Sequence, residues 1–228
     1  MRRLLGAASL MCLTIGCGSK SSTGGGSNPD FAVSATNPAA TTLGTSDTIH
    51  VHLVSTDLAA SVTLTVTGAP ATWTATPPAS PVDLTANGQA NADVIIAIPT
   101  NGDPAAGGQT LTVHASGGGH DHTATAMVTV ANQFVIPLLR GATAGGSHWL
   151  WPNNTTFHLN AGTVVVFRND DSTSHIIHSN GGIGIAHQDV GGTGTPPGGT
   201  YQQTTSGAGS AVVNCHSHAS DNINLAIP

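Results

Sequence analysis

An alternation of apolar and hydroxyl residues is the feature that most constrains this chain, and the segment SVTLTVTG shows it clearly. Val62, Leu64 and Val66 are separated by single threonines, so their side chains would all point to one face of an extended strand. One face of such a strand belongs in a core and the other in water. The chain contains no glutamate and a single lysine, so the usual surface helix formers are missing. The sequence therefore predicts an all-β fold.

Comparable short segments recur along the chain between clusters of Pro, Gly and Asn, a spacing typical of β-sandwiches. The predicted strands are TIHVHLVS, SVTLTVTG, ADVIIAIP, QTLTVHAS and TATAMVTV in the first half, then QFVIPLL, TTFHLN, TVVVFRN, SHIIHS, TYQQTT, SAVVNC and NINLAIP. After the N-terminal segment about 200 residues follow, enough for two domains of about 100 residues. We therefore expect two antiparallel β-sandwiches, residues 31–132 and 133–228. The first resembles bacterial immunoglobulin-like modules in pattern only.

The first seventeen residues have the organisation of an export signal. MRR is a positive start, LLGAASLMCLTIG is an apolar stretch too short to span a bilayer, and a small residue precedes Cys17. LTIGC resembles a bacterial lipobox, although Thr14 stands where leucine is usual, and this resemblance implies a lipidated Cys17. An ordinary signal peptide with an incidental cysteine is the alternative. Residues 18–30 predict a flexible Gly/Ser linker. We expect an exported protein, lipid-anchored in the bacterial envelope at the outer membrane or periplasmic side.

Charge and cysteine usage restrict the partners. Without the signal, the chain has three basic residues, Lys20, Arg140 and Arg168, and eleven aspartates. The sequence therefore offers no basic patch for binding nucleic acid. The signal would remove one cysteine and the lipid would occupy Cys17, which leaves Cys215 as a single thiol. No disulfide can then form within the chain, even in an oxidising compartment. A lone thiol in an exported protein needs another kind of partner.

The segment AVVNCHSHAS places that thiol at the end of an apolar run, with histidines one and three residues later. Upstream, AGT precedes VVVFRN, and Asn169 and His175 stand in an N-x5-H pattern. Together these motifs resemble plastocyanin/amicyanin-like cupredoxins, over residues 133–228. The resemblance implies a Greek-key sandwich that holds one type 1-like copper ion through His175, Cys215 and His218. Thiolate suits Cu(I) and imidazole suits both oxidation states, as a blue-copper electron-transfer site requires.

Each ligand position has a competing histidine. His178 is three residues from His175 and would face the opposite side of a strand, so we expect a partly buried or edge residue. His216 competes with His218, and we expect it to be solvated, or to lie near the metal where a redox partner docks. The remaining histidines are expected to be solvated, with at most weak adventitious metal binding by the HDH segment: His50, His52, His114, His120, His122, His148, His158 and His187.

The axial position departs from the resemblance. Where the cupredoxin motif has methionine, this chain has Asp221, and Met127, the one methionine left after processing, lies in the first half. The axial ligand is then an Asp221 oxygen, a backbone carbonyl, a water molecule or nothing. A carboxylate would favour Cu(II) and lower the potential, whereas an empty position would raise it. A role for Asp221 as a turn residue beside Asn222 is the alternative.

The sequence therefore predicts a copper-binding protein that exchanges single electrons with protein redox partners and is not an enzyme. It contains no G-x-S-x-G, phosphate-loop or H-E-x-x-H motif. A nucleophilic pair of Cys215 and His218 is conceivable, since a thiolate needs a nearby base. Two further alternatives stay open, a copper scavenging or delivery protein and a surface or adhesion module without metal.

Overall fold

The computed structural model describes residues 28–139, 149–188, 193–216 and 218–228, without the side chains of residues 106, 218 and 219. Within these ranges the fold is all β and contains no helix, which confirms the predicted fold class. The strands are β1 (Asp30–Ala35), β2 (Thr41–Leu43), β3 (Ser46–Thr56), β4 (Ala60–Thr67), β5 (Thr74–Thr76), β6 (Val82–Leu84), β7 (Gln89–Ala97), β8 (Ala105–Gly117), β9 (His120–Leu138), β10 (Thr155–His158), β11 (Val164–Asn169), β12 (Ile177–Ser179), β13 (Thr200–Thr204), β14 (Gly209–Cys215) and β15 (His218–Ile227).

The strands form three sheets. Their orders are β1-β3-β7-β5, β10-β15-β14-β12 and β13-β11-β9-β8-β4-β6, and β2 also pairs with β9. Most pairings are antiparallel, as expected from the short connections. Three pairings are parallel, those of β2 with β9, β9 with β11, and β10 with β15.

Strand β9 is the longest, at 19 residues, and it runs through both halves of the chain. Its first part pairs antiparallel with β8, up to Val130. Its last part, from Gln133, pairs parallel with β11. The predicted strands TATAMVTV and QFVIPLL are therefore one strand, because no Gly or Pro between them turns the chain. Asp30, expected in the linker, is already the first residue of β1.

Two clusters of buried apolar side chains form the cores. One extends from Phe31 to Val130 and the other from Phe134 to Ile227. The alternation read from the sequence holds, because Val62 and Leu64 are buried while the threonines of β4 are exposed. Burial of each such side chain stabilises the fold by about 1.5–3 kcal/mol. The domain limits 31–132 and 133–228 stay a prediction.

The predicted signal, Cys17 and nearly all of the predicted linker lie outside the described residues. In the ranges that are described, no helix is long and apolar enough to span a membrane.

Candidate metal centre

The turn between β11 and β12 is fixed by the buried side chain of Asn169, the last residue of β11. Its Nδ2 donates hydrogen bonds to the carbonyl oxygens of Thr173 and Thr195, each at 2.7 Å. Its Oδ1 accepts a hydrogen bond from the amide of Asp171 at 2.9 Å. A single amide group therefore ties two backbone positions of this turn to each other and to Thr195, in the connection after β12.

His175 follows this turn and is fully buried, with 0% of its surface exposed. Its amide donates to the carbonyl of Thr195 at 3.1 Å, and its carbonyl accepts from the amide of Thr195 at 2.7 Å. The neighbouring Gly194 has a φ of +69°, and a Cβ there would lie 2.6 Å from the His175 carbonyl oxygen. Only glycine combines this backbone conformation with so close an approach.

The ring of His175 lies between a carboxylate and a thiol. Its Nε2 is 2.9 Å from Oδ2 of Asp171, and its Nδ1 is 3.1 Å from Sγ of Cys215. The hydrogen bond from His175, with one from the Ser172 amide, lowers the pKa of Asp171 to about 2. An ionised carboxylate has no proton to donate, so in the neutral imidazole the proton is on Nε2. The lone pair of Nδ1 is then directed at the sulfur.

Cys215 is the last residue of β14, and 1% of its surface is exposed. It shares the inward face of the strand with Ala211 and Val213, as the alternation requires. Its backbone pairs with Ile177 of β12 on one side and with His218 of β15 on the other. Among the described residues it is the free cysteine. Sheet pairing on both sides therefore holds the thiol in place.

The other two predicted site residues lie on β15. His218 is its first residue, and its backbone pairs with Cys215, but its side chain is outside the described part, so its role as a ligand stays a prediction. Asp221 is buried and accepts a hydrogen bond from Oγ of Ser220 at 3.4 Å. Its interpretation as a turn residue was wrong, because β15 runs through this position and Asp221 faces the core. Its role as axial ligand stays a prediction.

The structure brings together three histidines that the sequence analysis treated separately, and we call them the three-histidine cluster: His178, His187 and His216. Nε2 of His216 is 3.2 Å from Nδ1 of His178 and 2.8 Å from Nε2 of His187. Burial, together with the charges of His187 and His216, lowers the pKa of His178. The sequence held a signal for His178 and His216, because pairing the predicted strands SHIIHS and SAVVNC would have brought these two residues close to each other. No sequence signal placed His187 beside them, because it lies in a Gly-rich connection.

Ring nitrogens of histidines in the first half contact oxygen atoms rather than other histidines or sulfur. The contacts are His50 to Asp93 at 2.7 Å, His52 to Asn91 at 2.8 Å, His114 to Thr67 at 2.9 Å and His122 to Asp30 at 2.7 Å. His120 is also near Asp30, at 3.3 Å, so these two histidines and one carboxylate form a second group with a metal-like spacing. Burial raises the pKa of Asp30, but hydrogen bonds from His122 and the Phe31 amide outweigh it and lower the pKa. His148 lies outside the described residues.

Comparison with known proteins gives no matching family model and no matching curated protein. Solved structures similar to part of this chain include cupredoxins. A purple cupredoxin from Nitrosopumilus maritimus is 23% identical, with 41% of this chain and 98% of that chain covered and a TM-score of 0.32. Two mutants of amicyanin in the Cu(I) form are each 16% identical, with 43% of this chain and 84% of theirs covered and TM-scores of 0.32 and 0.33. The immunoglobulin-like resemblance of the first half stays a prediction.

The donor set of the buried centre fits a metal ion that prefers sulfur and nitrogen. A thiol sulfur and an imidazole nitrogen face each other at 3.1 Å, and a carboxylate behind the imidazole orients the ring. Metal-binding histidines usually donate their second N–H to such an acceptor. The same order of groups, Cys215 to His175 to Asp171, could activate a nucleophile. Burial of both the sulfur and the ring favours a metal ion over a substrate as their partner.

Proposed function

We propose that this chain is a copper-binding electron-transfer protein in which Cys215, His175 and His218 hold one copper ion. The observation that carries the proposal is the contact of Nδ1 of His175 with Sγ of Cys215, made in complete burial. Bound copper would supply one-electron chemistry between Cu(I) and Cu(II), for which a thiolate and imidazoles are the appropriate ligands.

The surrounding residues support electron transfer because they limit movement. Asn169 fixes the turn that precedes His175, and Asp171 holds the ring by its Nε2. Pairing with β12 and β15 holds the backbone of Cys215. A site whose donors are fixed before the ion binds needs little rearrangement when its charge changes. A protein that only delivers copper would instead benefit from accessible, mobile donors.

The remaining parts of the proposal rest on the sequence. We propose that the chain is exported, anchored through lipid on Cys17 and spaced from the membrane by residues 18–30. Its partners would be other redox proteins of the envelope, and the chain itself would not be an enzyme. The strongly acidic balance, a formal net charge of −6, favours partners with a basic docking surface.

Titration of the purified full chain with Cu(II), followed by absorption and EPR spectroscopy, tests the copper site. We expect one equivalent to give an intense sulfur-to-copper charge-transfer band and a narrow copper hyperfine splitting. Both should vanish in Cys215→Ser and persist in His158→Gln, a matched change at an exposed histidine. A chain that gives no thiolate band with Cu(II), although it is folded by circular dichroism, would refute the site.

Redox cycling separates electron transfer from delivery. We expect the copper to remain bound through repeated reduction by ascorbate and reoxidation, in the presence of a competing chelator. Loss of copper to the chelator on the first reduction would instead support a delivery protein. Asp221→Met tests the axial position, since loss of a carboxylate ligand should raise the potential. An unchanged spectrum and potential would exclude Asp221 as a ligand.

A further inference from the structure

We propose that the three-histidine cluster of His178, His187 and His216 is a second metal site, which takes one divalent transition-metal ion with Cu²⁺ preferred over Zn²⁺. Imidazole is a ligand for both ions, and the general affinity order places Cu²⁺ above Zn²⁺. One ring nitrogen from each of the three residues lies within 4.8 Å of the other two. This site shares no side chain with the buried centre and does not depend on the proposed function.

The convergence of the nitrogens is poorly explained by hydrogen bonding alone. Nε2 of His216 is close to both Nδ1 of His178, at 3.2 Å, and Nε2 of His187, at 2.8 Å. A ring nitrogen carries either one proton or one lone pair, so it cannot make two good hydrogen bonds at once. A cation between the three rings gives every lone pair a partner. The rings also meet edge to face, with centroids 4.5–5.1 Å apart, rather than stacking on one another.

The backbone around the three residues is held independently of the rings. The His216 amide donates to the carbonyl of Ile176 at 2.9 Å. His178 lies in β12, where it pairs with Asn214 of β14. Gln188, beside His187, donates its amide to the Ile177 carbonyl at 3.0 Å and accepts from the Ile177 amide through Oε1 at 3.0 Å. All three segments are therefore tied to β12 or to the residue directly before it, and the fold brings the nitrogens together.

The exposure of the cluster suits an ion that exchanges with solvent. His178 and His187 are half-buried and His216 is exposed. Three histidine ligands with solvent at the remaining position form the open type of site that zinc and copper adopt in proteins. His216 directly follows Cys215 in the chain, yet the thiol is buried while the imidazole is exposed. Either site can therefore be removed by a substitution that changes no ligand of the other site.

The test is a titration of the full chain with Cu²⁺, and separately with Zn²⁺, in a Cys215→Ser background that removes the thiolate. His187→Gln is introduced into this background, with His158→Gln as the matched exposed control. We expect His187→Gln to remove one equivalent of bound ion, or to weaken its binding by at least about 10-fold. The control should remove nothing. EPR of the Cu²⁺ form should show superhyperfine coupling to three nitrogens, and this coupling should disappear with His187→Gln.

Other results would overturn the proposal. Equal stoichiometry and affinity in the His187→Gln and His158→Gln variants would mean that the cluster does not bind the ion. Stability of the metal-free variants, measured by thermal unfolding, shows whether a loss of binding is a loss of fold. A failure of the thiolate band in the unsubstituted chain would refute the copper centre at Cys215 and leave this result unaffected.

Discussion

The histidines of the two halves differ in the atoms that their rings face. In the first half the ring nitrogens meet oxygen atoms, as in the pairs of His50 with Asp93 and His52 with Asn91. In the second half one histidine ring faces a thiol and three others face one another. A carboxylate or amide oxygen satisfies an imidazole N–H within the protein, whereas ring lone pairs beside a thiol or other ring nitrogens form a donor set that a metal ion can use. The partner atom therefore tells more about metal binding than the number of histidines.

Asn169→Ala is expected to lower the free energy of unfolding more than any other substitution considered. Removal of its amide breaks the hydrogen bonds to the Thr173 carbonyl and from the Asp171 amide, both in the turn before His175. It also breaks the bond to the Thr195 carbonyl, which keeps its bond from the His175 amide. Loss of three hydrogen bonds, each of which contributes about 0.5–1.5 kcal/mol, should lower the free energy of unfolding by about 3 kcal/mol.

Asn91→Ala is the matched control in the first half, because Asn91 is exposed and its side chain contacts the ring of His52. It should change stability by less than about 0.5 kcal/mol in denaturant unfolding. Equal effects would mean that the turn is not held by Asn169.

Gly194→Ala is expected to lower the free energy of unfolding by a smaller amount. The positive φ of Gly194 would strain any other residue by about 1 kcal/mol, and the added Cβ would meet the His175 carbonyl at 2.6 Å. We expect a total loss of about 2 kcal/mol and a displaced His175, seen as a shifted copper spectrum. Gly198→Ala is the matched control, since Gly198 has a φ of +72° with no atom within 4 Å of a Cβ. It should show the backbone strain alone, about 1 kcal/mol, with an unchanged spectrum. A Gly194→Ala protein with the control's stability and spectrum would remove the argument for close approach.

Asp171→Asn tests whether the carboxylate orients the buried ring. The folded pKa of Asp171 is lowered to about 2, below the usual aspartate value near 3.9. A lowered folded pKa means that ionised Asp171 stabilises the fold above about pH 4, and that this contribution is lost as the pH falls towards 2. The stability difference between the parent and Asp171→Asn, measured by denaturant unfolding, should therefore shrink over this range. Asp170→Asn, which removes only a partly exposed pair with Arg168, is the control with a small effect throughout. A difference independent of pH would contradict the role of the carboxylate.

The sequence alone predicted the fold class, and it singled out Cys215 and His175, which lie together in the buried centre. Period-two alternation predicted the strands, and the run SAVVNC was predicted as a strand that ends at Cys215, as β14 does. The resemblance to cupredoxins, of which the N-x5-H pattern is one part, singled out His175, and the structure brings its Nδ1 to 3.1 Å from the sulfur of Cys215. Strand β9 was predicted as two strands because alternation marks faces and does not mark where one sheet partner gives way to another.

The remaining contacts could not be predicted because they depend on sheet register and on loop paths. The meeting of His178 with His216 needs the pairing of β12 with β14, and a shift of one residue would move a ring to the other face. His187 reaches the cluster through a Gly-rich connection whose path no periodicity describes. The bond from Asp171 to His175 also lies in an irregular turn, fixed by Asn169 rather than by a strand pattern.

His122→Gln, in the first half, is expected to change stability and metal binding the least. His122 contacts Asp30 at 2.7 Å in a partly exposed pair, with His120 nearby. Such a pair contributes at most about 1 kcal/mol, because solvent screens it. Asp30 already provides the imidazoles with an oxygen partner, so we expect His122→Gln to leave the number of tightly bound Cu²⁺ or Zn²⁺ ions unchanged. Loss of one tightly bound ion in this variant, matching the loss expected for His187→Gln, would show that the contact with Asp30 does not keep these imidazoles from binding a metal ion.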